Sequence, residues 1–127
     1  MGAHFEFHVA DTKRAKDFYA MVLGWSFQKM PGVDYHLVIS DGIGGDNPLT
    51  GALITRNAAP HAAGSGPRGA IMTFTVQDVD KTYAKALSNG GAEALPPTDF
   101  PGIGRVAYCE DGEGNIFGMI ERPKEDA

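Results

Sequence analysis

Three titratable residues near the start of the chain stand two positions apart: His4, Glu6 and His8. On a β-strand, residues i and i+2 share a face and lie about 6.6 Å apart. His4 with Glu6, or Glu6 with His8, can then share a proton or converge on one ion. His4 and His8 are separated by about twice that distance, so a three-way chelate would be strained. A carboxylate between two imidazoles in a cavity is suited to removing a proton from the carbon alpha to a carbonyl, with a histidine tuned by that carboxylate. The competing reading is a hydrogen-bonded polar stripe, with His4 frayed near the terminus.

Other residues offer further chemistry. His36, in Tyr35-His36-Leu37-Val38, faces either the same cavity or solvent. Arg105 follows Pro101-Gly102-Ile103-Gly104 and can clamp a carboxylate or phosphate, or form a salt bridge at a sheet edge. Trp25 reads as a packing residue and His61 as an idle, solvent-exposed one. Asp111, Glu113 and Asn115 carry oxygen donors, yet their run is too short for a calcium loop and lacks the closing glutamate, so it reads as a turn. Gly42-Ile43-Gly44-Gly45 has no Gly-Lys-Ser/Thr ending and opens no helix, which excludes a phosphate loop and leaves hairpin flexibility or a lid.

The elements that must position these residues form a repeat. Phe7 corresponds to Phe74, Val9 to Val76, Asp11 to Asp78 and Gly24 to Gly91, each 67 residues on. In the first copy Phe5, Phe7 and Val9 alternate with polar residues as on a strand with one apolar face. Asp11 stands at a helix N-cap, Ala15, Phe18, Tyr19 and Val22 form a helical stripe, and Gly24 ends it. The second copy repeats this with Met72, Phe74 and Val76, the cap Asp78, the stripe Val79, Tyr83, Ala86 and Leu87, and the stop Gly90-Gly91. Each copy then ends in a hairpin, 34–40 with 51–56 and 104–110 with 115–121. The segment 57–69, rich in Pro and Gly, reads as a linker. A copy of roughly 55 residues with one helix cannot bury its own sheet well, so the expectation is a single domain, 1–127, with modules at 4–56 and 70–122.

Composition narrows the function classes. A net charge of −5 with no basic run longer than Lys13-Arg14 argues against nucleic acid and anionic membranes as partners. The single Cys109 precludes an internal disulfide and suits a reducing compartment. No apolar run reaches the roughly 18 residues of a membrane span, and the N-terminus has no signal-like core. The expectation is a cytoplasmic protein.

Together these segments resemble the vicinal oxygen chelate superfamily of glyoxalases, bleomycin-resistance proteins and extradiol dioxygenases. The resemblance is carried by Val9-Ala10-Asp11, Ala15-Lys16-Asp17-Phe18-Tyr19, Leu23-Gly24-Trp25, Thr75-Val76-Gln77-Asp78, Pro96-Pro97-Thr98-Asp99-Phe100-Pro101-Gly102, and Glu110-Asp111-Gly112-Glu113-Gly114-Asn115. It spans about 5–121 and points to a glyoxalase-related branch. The fold it implies is α+β: two βαβββ modules forming a cup-shaped mixed sheet with helices on the outer face. A homodimer is implied as well.

The family's metal ligands fall, on this resemblance, at His4, Ala52, Ile71 and Gly118, where only His4 has a donor. The implication is that no metal is held, unless a divalent ion has relocated to His4, Glu6, His8 or His36. Accordingly His4, Glu6 and His8 are the expected catalytic residues, and His36, Ala52, Ile71, Thr73, Arg105 and Gly118 the expected substrate-binding ones. The leading reading is a binder of a small oxygenated metabolite with lyase or isomerase chemistry. The alternatives are a non-catalytic drug or toxin binder, and a metal-dependent lyase or dioxygenase.

Overall fold

The computed structural model describes residues 2–56, 59, 62–64 and 70–121. Most of the expected linker, with His61, and position 122 lie outside the described residues. Alternation produces β1 (Ala3–Val9), in which Phe5, Phe7 and Val9 are buried and the residues between them exposed. α1 (Thr12–Leu23) begins where the Asp11 carboxylate accepts from the Arg14 N–H at 3.1 Å. It ends at Gly24, whose φ of 72° is open to glycine at little strain. All four residues of its expected stripe are buried.

β2 (Ser26–Lys29), β3 (Tyr35–Ile39) and β4 (Leu49–Thr55) complete the first unit, and the sheet order is β1-β4-β3-β2. The second unit repeats it with β5 (Met72–Thr75), α2 (Val79–Ser88), β6 (Ala92–Phe100), β7 (Gly104–Glu110) and β8 (Ile116–Glu121), in the order β5-β8-β7-β6. In each sheet the first strand pairs in parallel with the last, and the other pairs are antiparallel. The architecture is two βαβββ units with mixed sheets that do not close.

Two strands go beyond the sequence-based hairpins. β2 is polar and mostly exposed, so it carries no alternating pattern. β6 contains Pro96 and Pro97, which an edge strand tolerates at irregularities because no ladder donor is needed there. Its pairing with β7 shifts register between Glu93 and Leu95 and again before Thr98. The α2 stripe is narrower than expected. Val79 and Ala86 are buried, whereas Leu87 is 40% exposed and belongs to the surface.

One aromatic core joins the units. Trp25 stacks on Tyr19 with centroids 4.7 Å apart, and meets Phe5 at 5.7 Å and Phe74 of the second unit at 5.2 Å. Phe18 and Tyr19 of α1 reach Phe117 on β8. The helix therefore packs between the two halves, which explains why its stripe is so thoroughly buried.

The turn 111–115 locks that arrangement. Glu113, 2% exposed, receives the N–H groups of Ala10 and Asp11 and the Arg14 guanidinium at 2.8 Å. Asp111, equally buried, accepts from the Tyr19 hydroxyl at 2.8 Å, the Glu113 and Asn115 N–H groups, and Asn115 Nδ2. Burial pushes the Asp111 carboxyl up from its usual range, against the downward pull of those hydrogen bonds.

Replacing Phe74 with Ala should destabilise the protein by about 3–5 kcal/mol in urea unfolding. A loss below about 1 kcal/mol would contradict its place in the shared core. Glu113→Ala should also lose about 3–5 kcal/mol, since it strands two backbone donors and a guanidinium. Asp17→Ala, which removes only the exposed Lys13–Asp17 pair, should change stability by no more than about 0.5 kcal/mol.

Candidate functional site

The register of the first sheet gathers the site. Parallel pairing sets His4 against Thr50 and Glu6 against Ala52, while the antiparallel β3–β4 pair sets Tyr35 against Ile54. Side chains paired across strands share a face, so all of these lie opposite the face on which Phe5 and Phe7 meet α1. Tyr35 reaches across β4 to β1, over Ala52, whose small side chain is fully covered.

The result is a directed chain of hydrogen bonds. The Tyr35 hydroxyl donates to Glu6 Oε2 at 2.8 Å, and its oxygen lies 2.6 Å from His4 Nε2. Tyr35 has one hydroxyl proton, and with that proton on Glu6 the His4 Nε2–H must be the donor to Tyr35. In neutral His4 the other nitrogen, Nδ1, then accepts from the Thr50 hydroxyl at 2.7 Å. The chain thus runs Thr50, His4, Tyr35, Glu6 and ends on a carboxylate. His4 Nε2 also lies 3.4 Å from Glu6 Oε2. Burial, followed by the Glu6 hydrogen bond and charge, raises the Tyr35 hydroxyl above its ordinary pKa, keeping it protonated. His4 and Glu6 remain 36% and 39% exposed, so a substrate can reach them.

Of the three residues singled out at the start, two come together. The His8 side chain has no hydrogen bond among the described residues, although its carbonyl accepts from Arg56 and Asn115. Tyr35 and Thr50 were missed because neither has a local motif. Only the register between strands distant in sequence places them beside His4.

The expected binding residues scatter. His36 faces neither cavity nor solvent: it pairs with Leu53, is 7% exposed, and its Nε2 lies 2.9 Å from Asp34 Oδ1. The Thr55 hydroxyl and His36 hold the Asp34 carboxyl below its usual range. Arg105 takes the salt-bridge alternative, donating to both Asp80 oxygens at 2.8 and 2.9 Å and to Asp99 at 3.0 Å. Its cross-strand partner is Glu121, which accepts from the Val79 N–H at the start of α2, away from the relay.

Ile71 lines a cavity of about 270 Å³ between the units, together with Glu6 and Arg56. Thr73 lines a second cavity of about 350 Å³, floored by Trp25 and Phe74. Gly118 pairs with Thr73 so closely that a Cβ would fall 2.3 Å from the threonine Oγ1.

The residues that the family resemblance implies for a metal do not fit a divalent ion. Ala52, Ile71 and Gly118 bring no donor, and one imidazole does not make a site. Asp78, Asp80 and Glu121 bring carboxylate oxygens within 4.8 Å of one another on the helix side. Each already accepts from the chain: Asp78 from Lys81 N–H, Asp80 from Arg105 and Glu121 from Val79 N–H. Among the described residues no helix is long and apolar enough to cross a membrane.

Comparison with known proteins gives this geometry a context. The family model for the glyoxalase/bleomycin resistance protein/dioxygenase superfamily matches residues 3–119. CFP32 of Mycobacterium tuberculosis, named as a candidate glyoxylase, is 42% identical over 48 residues, 38% of this chain. That stretch is only 18% of CFP32, so the chain matches less than a fifth of its curated relative. The antibiotic binding protein TnmS3 from Streptomyces sp. CB03234 superposes with a TM-score of 0.67 at 25% identity, covering 97% of this chain and 96% of that one. A glyoxalase-related enzyme from Fulvimarina pelagi shares the fold, with a TM-score of 0.72 at 18% identity over 97% and 88% of the two chains.

Cys109 is outside this chemistry: it is fully buried and burial pushes its thiol up to about 12. The native protein should resist an aromatic disulfide reagent at pH 8, and release one equivalent of thiolate product only after unfolding in guanidinium. Rapid reaction of the folded protein would contradict the burial.

Proposed function

Since the chain belongs to the glyoxalase/bleomycin resistance protein/dioxygenase superfamily, we propose that it binds a small oxygenated metabolite against the open face of its first sheet and acts on it by proton transfer, as a lyase or isomerase. The observation that carries this reading is the relay ending on Glu6. Glu6 removes a proton from carbon alpha to a carbonyl, the C–H electron pair moves onto the carbonyl oxygen as an enolate, and reprotonation completes an isomerisation. Tyr35 and His4 orient the carboxylate and pass protons along the chain. No metal enters this scheme, because Ala52, Ile71 and Gly118 supply no ligands where the family places them.

A binder without turnover is the second reading, supported by the similarity to the antibiotic binding protein TnmS3. Proton exchange separates the two. In D2O, wild-type protein should incorporate deuterium alpha to the carbonyl in at least one of a panel of small hydroxyketones and 2-oxo acids, monitored by proton NMR. Glu6→Gln should lower that rate by about 10²–10⁴-fold, with Tyr35→Phe falling between, and EDTA should leave it unchanged. Exchange no faster than buffer across the panel would favour the binder, and loss of exchange in EDTA would point to a relocated metal.

We also assign the protein as a homodimer. His4 and Glu6 stand open to water on a sheet face, and on that face Ile39 of β3 is 39% exposed, leaving apolar surface uncovered. A second copy laid over this face would shield the relay from solvent. Sedimentation at micromolar concentration should give a species of twice the 13.5 kDa chain mass; a monomer alone would contradict the assignment.

A further inference from the structure

Arg56 is an arginine whose charge meets no carboxylate among the described residues. Its Nη2 donates to two neutral acceptors, the carbonyls of His8 at 2.7 Å and Glu113 at 2.9 Å. Its buried Nε has no partner among the described residues. The other two arginines among the described residues that make ion pairs hold carboxylates directly, Arg14 that of Glu113 and Arg105 those of Asp80 and Asp99. Arg56 has no carboxylate within 4 Å among the described residues. A guanidinium stays charged in any protein, and partial burial without a counter-ion is unfavourable. An incoming anion can relieve that imbalance through a charge-assisted hydrogen bond.

The position of Arg56 supplies the ligand's remaining properties. It lines the inter-unit cavity of about 270 Å³ whose walls include Ile71, Met72 and Ile116, with Glu6 and Asn115 as further polar residues. That volume holds a body of several carbons. Glu6 belongs both to this cavity and to the relay. Its carboxylate disfavours a second negative charge on the ligand.

We propose that Arg56 anchors a small monocarboxylate with an apolar body, presented so that its reactive carbon lies toward Glu6. This rests on the proton-transfer reading for the fate of the ligand, and names its chemical class: a branched or aromatic 2-oxo acid rather than a neutral ketone or a dicarboxylate. Arg56 is a binding residue in this assignment. It has no role as base.

The probes are 4-methyl-2-oxopentanoate, its neutral methyl ester and 2-oxoglutarate, titrated into isotopically labelled protein by amide NMR. The monocarboxylate should shift the amides of Glu6, Phe7, Ile71 and Ile116 and bind at least tenfold more tightly than the ester or the dicarboxylate. In Arg56→Gln the acid-to-ester ratio should fall to near one, while Arg56→Lys retains part of it. The ratio is internal to each variant, so reduced stability from loss of the two carbonyl contacts does not imitate the effect. Equal binding of acid and ester by wild type, no binding of either, or an undiminished ratio in Arg56→Gln would overturn the assignment. Deuterium exchange into neutral hydroxyketones without this preference would overturn it and leave the role of Glu6 standing. The preference without exchange into any carbonyl would support the ligand class and remove the catalytic reading.

Discussion

The Glu113 carboxylate, buried at 2% exposure, draws its partners from the opposite half of the chain: the Ala10 and Asp11 N–H groups and the Arg14 guanidinium. A carboxylate so placed is tolerable only when its oxygens are satisfied. Those donors surround the start of α1, where free N–H groups and the helix dipole favour negative charge. The same turn sends Asp111 to Tyr19 and Asn115 to the His8 carbonyl. One short loop of the second unit therefore fixes both the beginning of α1 and the end of β1. The position of α1 between the units, and with it the shared core around Trp25, depends on this contact.

The relay on the first sheet follows from strand order and register. Because β4 lies between β1 and β3, residues from three strands can meet over Ala52. A bulkier residue at 52 would obstruct the Tyr35 ring. The core side of the same strands holds Phe5, Phe7 and Leu53, so the polar and apolar faces are set by one alternation. A register slip would exchange them.

Much of the fold was legible because each long strand buries one face and each helix one stripe. Phe5, Phe7 and Val9, the caps Asp11 and Asp78, and the stop at Gly24 are local signals with local causes. β2 and β6 were not delimited because Ser26, Gln28 and Lys29 face solvent and Pro96-Pro97 resembles a loop. The site was less legible. The pair His4 and Glu6 followed from spacing, but Tyr35 reaches them from 31 and 29 residues away. The run Asp111-Gly112-Glu113-Gly114-Asn115 had the composition of a turn and is one, yet its partner Arg14 lies 99 residues from Glu113. Arg105 had two uses at the sequence level, and the contact with Asp80 on α2 decides between them.

The closeness of Gly118 to Thr73 bears on which side chains position 118 can carry. A Cβ at 118 would lie 2.3 Å from the Thr73 Oγ1 and 3.0 Å from its Cβ, so no side chain fits there while that threonine keeps its place on the facing strand. Thr73 is β-branched, which restricts the rotamers open to it. Introducing a carboxylate at 118 would first require a smaller residue at 73. The two positions are therefore coupled: the side chain tolerated at one is set by the size of the other.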